Sequence, residues 1–319
     1  MTIDTLVAFF ELHQIMWIVA ALFIINLTIT GIEIMLDLVT SKERRWKDTM
    51  ANLVIFTAHQ VIEKTAFASI RFIALLPFYY LTPLVVPMTA WTWLLAMLVA
   101  DFTYYWMHRL EHEHRFLWAS HSVHHSSNDY NLTVGFRLST VEGFFEWAFL
   151  IPIILIGFNP FQAIVGLVLV AQYQHWVHTE RVTKLGWLDE VFNTPSVHRV
   201  HHGSNRQYID KNYGGILMIW EKLFGTFVRE EEKVIYELTC DIHTYNLVKI
   251  TFIEFGNIWK DVKKCRTMGD RLRIIFGGLS WHPSYFRSKT NPIAPGVAVE
   301  GMARGKTAMS CLLPSLPSS

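Results

Sequence analysis

Residues 15–36, IMWIVAALFIINLTITGIEIML, hold a single charged side chain, Glu33. Wound as a helix at about 1.5 Å per residue, such a run matches the roughly 30 Å thickness of a bilayer's hydrocarbon core. A chain that begins this way is constrained to helices, because a backbone in lipid must satisfy its own hydrogen bonds. The remainder is also apolar: 51% of the residues are hydrophobic and the mean hydropathy is +0.25, both unusual for a soluble globule. Further apolar stretches run over residues 66–87, 89–107, 143–157 and 161–174, with Pro77, Pro83 and Pro87 breaking the first of them and GFNP at 157–160 hinging the last two. The expected fold is all-α: a polytopic integral membrane protein of five crossings, the last two a shallow hairpin, under a cytoplasmic histidine-rich cap. The amino terminus lacks the basic start and small-residue cleavage site of a secretory signal, so the first run is expected to remain as an anchor.

The loop SKERRWKD carries Lys42, Arg44, Arg45 and Lys47, which assigns it to the cytoplasm. Alternating crossings then bring His108 and everything after Thr179 to the same face, of a bacterial inner membrane or the endoplasmic reticulum. Three regions follow: transmembrane anchor helices over 1–100, a catalytic region over 101–290 that includes a membrane hairpin at 141–178, and a small, polar, Pro-containing tail over 291–319 expected to be disordered. A net charge of +1 without a long basic block excludes nucleic acid as a partner. Cys240, Cys265 and Cys311 are too few and too scattered for a disulfide framework or a thiolate metal site.

Chemistry concentrates in the histidines. Six of the chain's 15 lie in HRLEHEHRFLWASHSVHHSS (108–127), and HRVHHG follows at 198–203. Composition alone would give roughly 0.03 occurrences of HxxHH, whereas two are present. In a helix, positions i, i+3 and i+4 lie on neighbouring parts of one face, so each box can aim its rings at a common point. His121, His124 and His125 form one box and His198, His201 and His202 the other. His108 and His112 add an i, i+4 pair, and His178 in QHWVHT arrives at the same depth. Imidazole suits Zn, Cu, Fe and Ni, and eight or nine nitrogen donors exceed what one four-coordinate zinc takes, so two metal ions are expected. Only Glu111 and His114 show the ExxH spacing of carboxylate-bridged sites, which favours an all-imidazole centre. His13, His59, His243 and His282 read as ordinary interfacial side chains, and His114 and His175 as weaker ligand candidates. Asp101, inside the third apolar run, reads as a carboxylate facing protein. Asp210, Lys211, Asn212 and Tyr213 follow the last box closely enough to support its ligands, and Asn131 and Arg137 are candidates for a lipid headgroup contact.

HRLEH, HSVHH and HRVHH, in that order on an apolar chain, resemble the fatty acid hydroxylase and sterol desaturase superfamily of membrane diiron oxygenases. YYWMHRLEHE, LWASHSVHHSSNDYNLT, HWVHTE and FNTPSVHRVHHGSNRQYIDKNYGGILMIWEKLFGTF resemble its ether-lipid-cleaving branch, over about residues 100–245. The resemblance implies an O2-dependent monooxygenase with two iron ions that inserts oxygen into a C–H bond of a lipid, cleaving an alkylglycerol ether to an aldehyde and a glycerol derivative. It carries the ligand role onto His108, His112, His121, His124, His125, His198, His201 and His202, with His178 beside them, and makes Glu113 a residue that orients a ligand. Tetrahydropterin is the reductant implied by that branch. His282-Pro283 lacks the glycines of a heme-binding loop, so electrons come from a separate donor. Two other readings stand beside it: a fatty acid or sterol hydroxylase or desaturase, and a membrane metal-binding or metal-transport protein using the same histidines.

Overall fold

The computed structural model describes residues 3–40, 46–127, 129–236, 242 and 244–286, with residues 3–12 described as backbone. Lys42, Arg44 and Arg45 of the orientation argument, Cys240, His243 and the 291–319 tail with Cys311 lie outside the described residues. Within them the chain is helical, with no strand and two isolated β-bridges, His114 to Gly278 and Phe192 to Leu217.

Helix α1 (Ile3–Val39) holds the first apolar run. Residues 13–39, at a mean hydropathy of 2.3, are long and apolar enough to cross a membrane, alone among the described helices. The other expected crossings do not meet that test by themselves: α2 (Trp46–Ile62) and α3 (Ala68–Leu81) join through a π-helical turn and bring the buried Arg71. Helix α4 (Ala90–Glu113) contains Asp101, while α6 (Glu146–Leu155) and α7 (Pro160–His175), at roughly 15 and 24 Å, fall short of a hydrocarbon core. Helix α1 is not uniformly apolar. Asn26, Thr30, Glu33 and Asp37 recur at helical spacing and are all buried. Asn26 donates to the Gln172 side chain (2.7 Å), Thr30 meets His175 Nε2 (2.8 Å), and Glu33 accepts from Leu132 N (2.7 Å) and the Thr179 hydroxyl (2.6 Å). Asp37 takes Arg181. This stripe fixes α1 lengthwise on α7 and the segments around the histidines.

Helices α4 and α7 pack against each other through small residues: a Cβ on Gly166 would lie 2.9 Å from that of Ala100. Leu75, Ala96, Met107, Leu150, Ile153, Ile154 and Leu167 fill the core beside them. Thr89 caps α4, accepting from Thr92 N at 3.3 Å, and Asn159 with Pro160 starts α7 after Gly157 turns the hairpin at φ 101°. Helix α5 (Arg115–His125) breaks from α4 at His114, which adopts an extended backbone. Helices α8 (Pro195–His202) and α9 (Ile219–Phe224) follow in the cap, and α10 (Leu247–Lys264) and α11 (Met268–Phe276) pack behind α5.

Candidate metal centre

Four elements bring nine buried imidazoles together. His108, His112, His121, His125 and His201 form one group, and His124, His178, His198 and His202 a second, each with its donor atoms within 4.8 Å of one another. The boxes divide between the groups instead of converging singly. On α5, the i, i+4 pair His121 and His125 serves the first group while His124 turns to the second. Helix α8 does the reverse, giving His198 and His202 to the second and His201 to the first. The 3.6-residue period explains the split: i and i+4 lie about 40° apart, and i+3 falls on the other side of i by about 60°. Two short helices facing one another thus interleave two sites, with His125 and His202 stacked between them at 4.4 Å.

The opposite ring nitrogens show how the donors are aimed. His108 Nδ1 donates to Tyr213 O (2.8 Å), His201 Nδ1 to Lys211 O (3.0 Å) and His178 Nδ1 to Gln174 O (2.8 Å), with His124 Nδ1 facing Arg137 O at 3.3 Å. A carbonyl only accepts, so each Nδ1 carries its hydrogen and each Nε2 presents a lone pair. The Nε2 atoms within each of the two groups face one another. In the first group, His108–His121, His121–His125 and His125–His201 Nε2 atoms lie 3.0, 3.2 and 3.1 Å apart. In the second, His124–His178, His178–His198 and His198–His202 lie 3.1, 3.0 and 3.2 Å apart. Two nitrogens at right angles about 2.1 Å from a common ion sit about 3.0 Å apart, against about 3.4 Å for a tetrahedral pair. The donor sets therefore fit metal ions of more than four ligands. Burial and the neighbouring rings hold His124 and His198 well below the usual imidazole range, and burial pushes His178 down to about 4. They are neutral, as ligands must be.

The supporting shell comes largely from residues after the last box. Asp210 and Asn212 adopt left-handed backbones (φ 58° and 56°), which aims the alternate carbonyls of Lys211 and Tyr213 at the rings. Asn212 anchors this stretch to α8 by donating to Val197 O (3.0 Å). Glu221, buried and pushed up to about 7 by desolvation, accepts from Gly214 N (2.5 Å) and the Thr226 hydroxyl. Arg199, between the ligands on α8, grips Glu230 at 2.7 and 3.0 Å and donates to the carbonyls of Thr179 and Val182, tying the His178 segment to α8.

Glu113 lies outside both groups, 43% exposed and paired with Arg109 at 2.8 Å. Its place on α4 points away from His108 and His112, whereas Glu111, three residues after His108, shares their side. Glu111 sits 3.2 Å from His121 Nδ1 with Glu142 at 3.9 Å, and burial raises both carboxyls well above the carboxylate range, with Glu146 adding to it at Glu111, and Glu111 and Glu146 at Glu142. Glu111 was findable from its helical register; Glu142, on a turn 31 residues from Glu111, was not. His175 bonds Thr30 and His114 faces Phe276 O (3.1 Å), so neither joins a group. Asp101 faces protein, accepting from Ile216 N, Leu217 N and Trp220 Nε1 at 2.6, 3.1 and 2.9 Å. Arg137 is buried rather than headgroup-facing: it donates to Asn52 (2.6 Å), Asp48 (3.2 Å) and Val123 O (2.9 Å), and Asn131 caps the turn at Thr133.

These features define a helical protein with two interleaved polyhistidine sites, and residues 93–226 match the fatty acid hydroxylase family. That match covers about two fifths of the chain. It is 45% identical to human alkylglycerol monooxygenase over 193 residues (60% of this chain, 43% of the relative) and 45% identical to the Danio rerio enzyme over 195 residues (61% and 44%). It is also 34% identical to the ornithine lipid hydroxylase OlsE of Rhizobium tropici over 135 residues (42% and 40%). The chain spans less than half the length of these curated relatives. No solved structure matches it.

Proposed function

We propose that the chain is an O2-dependent lipid monooxygenase that holds two iron ions in the two histidine groups and oxidises the carbon beside the ether oxygen of an alkylglycerol. The observation that carries this reading is the convergence of nine buried imidazoles, eight of which bring their Nε2 atoms to 3.0–3.2 Å from a neighbour's. When bound there, iron supplies the activation of O2 needed to attack an unactivated C–H bond. One oxygen atom goes to the substrate and the other leaves as water, with two electrons and two protons from a separate donor. The resulting hemiacetal opens to a fatty aldehyde and a glycerol derivative. The chain's own residues fix the ring tautomers through the Tyr213, Lys211 and Gln174 carbonyls and Glu111, and exclude water from the groups. We further propose that the centre sits at the cytoplasmic face of a membrane crossed by α1, with α3, α4 and the α6–α7 hairpin immersed. The α3–α4 turn supports this, with Tyr80, Val85 and Trp91 each more than 70% exposed.

The similarity to a lipid hydroxylase supports a second reading, oxidation of another lipid's acyl chain. Metal transport is less well supported, because the imidazoles close two compact groups between α4, α5 and α8 and are not strung along a helix. The test is O2 uptake by membranes containing the iron-loaded protein with tetrahydropterin or NADPH, offering an alkylglycerol and a free fatty acid in parallel, with His201→Ala as control. Aldehyde release from the ether lipid, lost in the variant, is expected. Oxidation of the fatty acid alone moves the protein to the second reading, and metal flux without O2 consumption overturns both.

A further inference from the structure

Helices α10 and α11 play no part in the metal groups, yet their outer face is built to a plan. On α10, Val248, Phe252 and Trp259 recur within about 40° of one another around the helix and are 67%, 51% and 60% exposed. On α11, Met268, Leu272 and Phe276 repeat at i, i+4 and i+8 and are 64%, 52% and 60% exposed. The opposite faces are buried: Ile258, Cys265 and Ile274 pack with Ala119 of α5. Lys249, Lys260 and Lys263 stand along one side of the apolar stripe of α10, with Lys264 at the helix end and Arg266 in the turn, and Arg271 and Arg273 flank the stripe of α11. All seven are exposed, whereas Glu254, Asp261 and Asp270, the acidic residues of this stretch, are not. Lys263 lies over the Trp259 ring at 5.0 Å, placing a cation at the edge of the apolar stripe.

An apolar stripe bordered by one sign of charge suits the boundary between acyl chains and anionic headgroups. The stripe is also continuous with the apolar helices. Phe116 contacts Phe145, Phe255 and Phe276 at 5.8, 5.8 and 6.0 Å, linking the start of the α6–α7 hairpin to α10 and α11. Next to Phe145, Phe144 is 67% exposed and meets Phe67 edge-on at 4.6 Å, in the π-helical turn that leads into α3. We propose that the outer face of α10 and α11 docks on the anionic leaflet of the bilayer that holds the protein, seating α5 and its histidines at the headgroup level. This rests on the membrane placement given above.

The experiment reconstitutes the full chain in nanodiscs of phosphatidylcholine alone or with a third phosphatidylglycerol, labels it with a photoreactive phospholipid, and maps adducts by mass spectrometry. Peptides covering residues 247–276 are expected to label at least fivefold above the cap loop 204–211 in anionic discs, and several-fold less in phosphatidylcholine. Lys260→Glu/Lys263→Glu/Arg271→Glu is expected to abolish the lipid dependence while metal content and melting temperature stay unchanged. Labelling of residues 13–39 without labelling of 247–276 overturns this inference and leaves the membrane reading standing. Absence of both overturns both. Equal protection of 247–276 in the two lipids with crosslinks between copies assigns the face to self-association instead.

Discussion

Gly135 is the position where a single methyl group tests the centre most directly. A Cβ there would lie 2.7 Å from His175 Nδ1 and 3.2 Å from His178 Nδ1, so to regain ordinary contact at 3.4 Å the His175 ring must retreat by about 0.7 Å and the His178 ring by about 0.2 Å. Neither ring has room to do so freely. His175 is held by Thr30 at 2.8 Å and by Phe136, whose ring centroid is 4.2 Å away, while His178 is fixed by Gln174 O at 2.8 Å. The smaller shift at His178 acts directly on its contacts with His124 (3.1 Å) and His198 (3.0 Å), which set the donor spacing of the second group. Gly135→Ala is therefore expected to cost about 1–3 kcal/mol of stability through overpacking. It should also weaken metal binding in the second group on the order of 10–100-fold. Metal per chain, measured by plasma mass spectrometry after equilibration against a graded chelator, should fall from about two toward about one, with the first group retained. A variant that keeps both metals at wild-type affinity and melts at the wild-type temperature refutes the reasoning.

The carboxylates of α4 make a paired test: Glu111→Gln should lower metal affinity of the first group about 10-fold or more, while Glu113→Gln, which disturbs only an exposed pair with Arg109, should change it less than twofold; equal effects refute the assignment. Arg115 and Asp261 form a buried pair at 2.6 Å that joins α5 to α10. Asp261→Asn should cost roughly 3–5 kcal/mol, read as a lower melting temperature, and Arg115→Met/Asp261→Leu should recover most of it; no recovery sinks the claim that an orphaned charge is the cost. Glu221 gives a pH signature. Its carboxyl ionises at about 7 in the folded protein against 4.5 when unfolded, so the unfolded state releases its proton first and stability is lost as pH rises between those values. Relative to Glu221→Gln, the wild type should lose about 3 kcal/mol between pH 4.5 and pH 7, and a difference that stays flat across that window argues against a buried neutral carboxyl.

Much of this protein is written in local spacing. The two HxxHH boxes and the i, i+4 pair on α4 have helical periods that read from the sequence alone, as do α1's apolar length and the hinge at residues 157–160. What the spacing leaves undecided is the partner across the gap. His121 and His125 join His201, 76 residues beyond His125, while His124 joins His198 and His202, because α5 and α8 face each other with their i+3 positions crossed; only the packing of two helices sets that. The choice between Glu111 and Glu113 turned on which side of α4 faces protein, and Arg137 became a buried clamp because α2 supplies Asp48 and Asn52. The polar stripe of α1 was visible as letters, but its meaning required α7 alongside. Periodicity is a property of one helix and so survives in the sequence, whereas a metal centre is a meeting of several helices, and the free energy that brings them together resides in contacts between residues far apart in the chain.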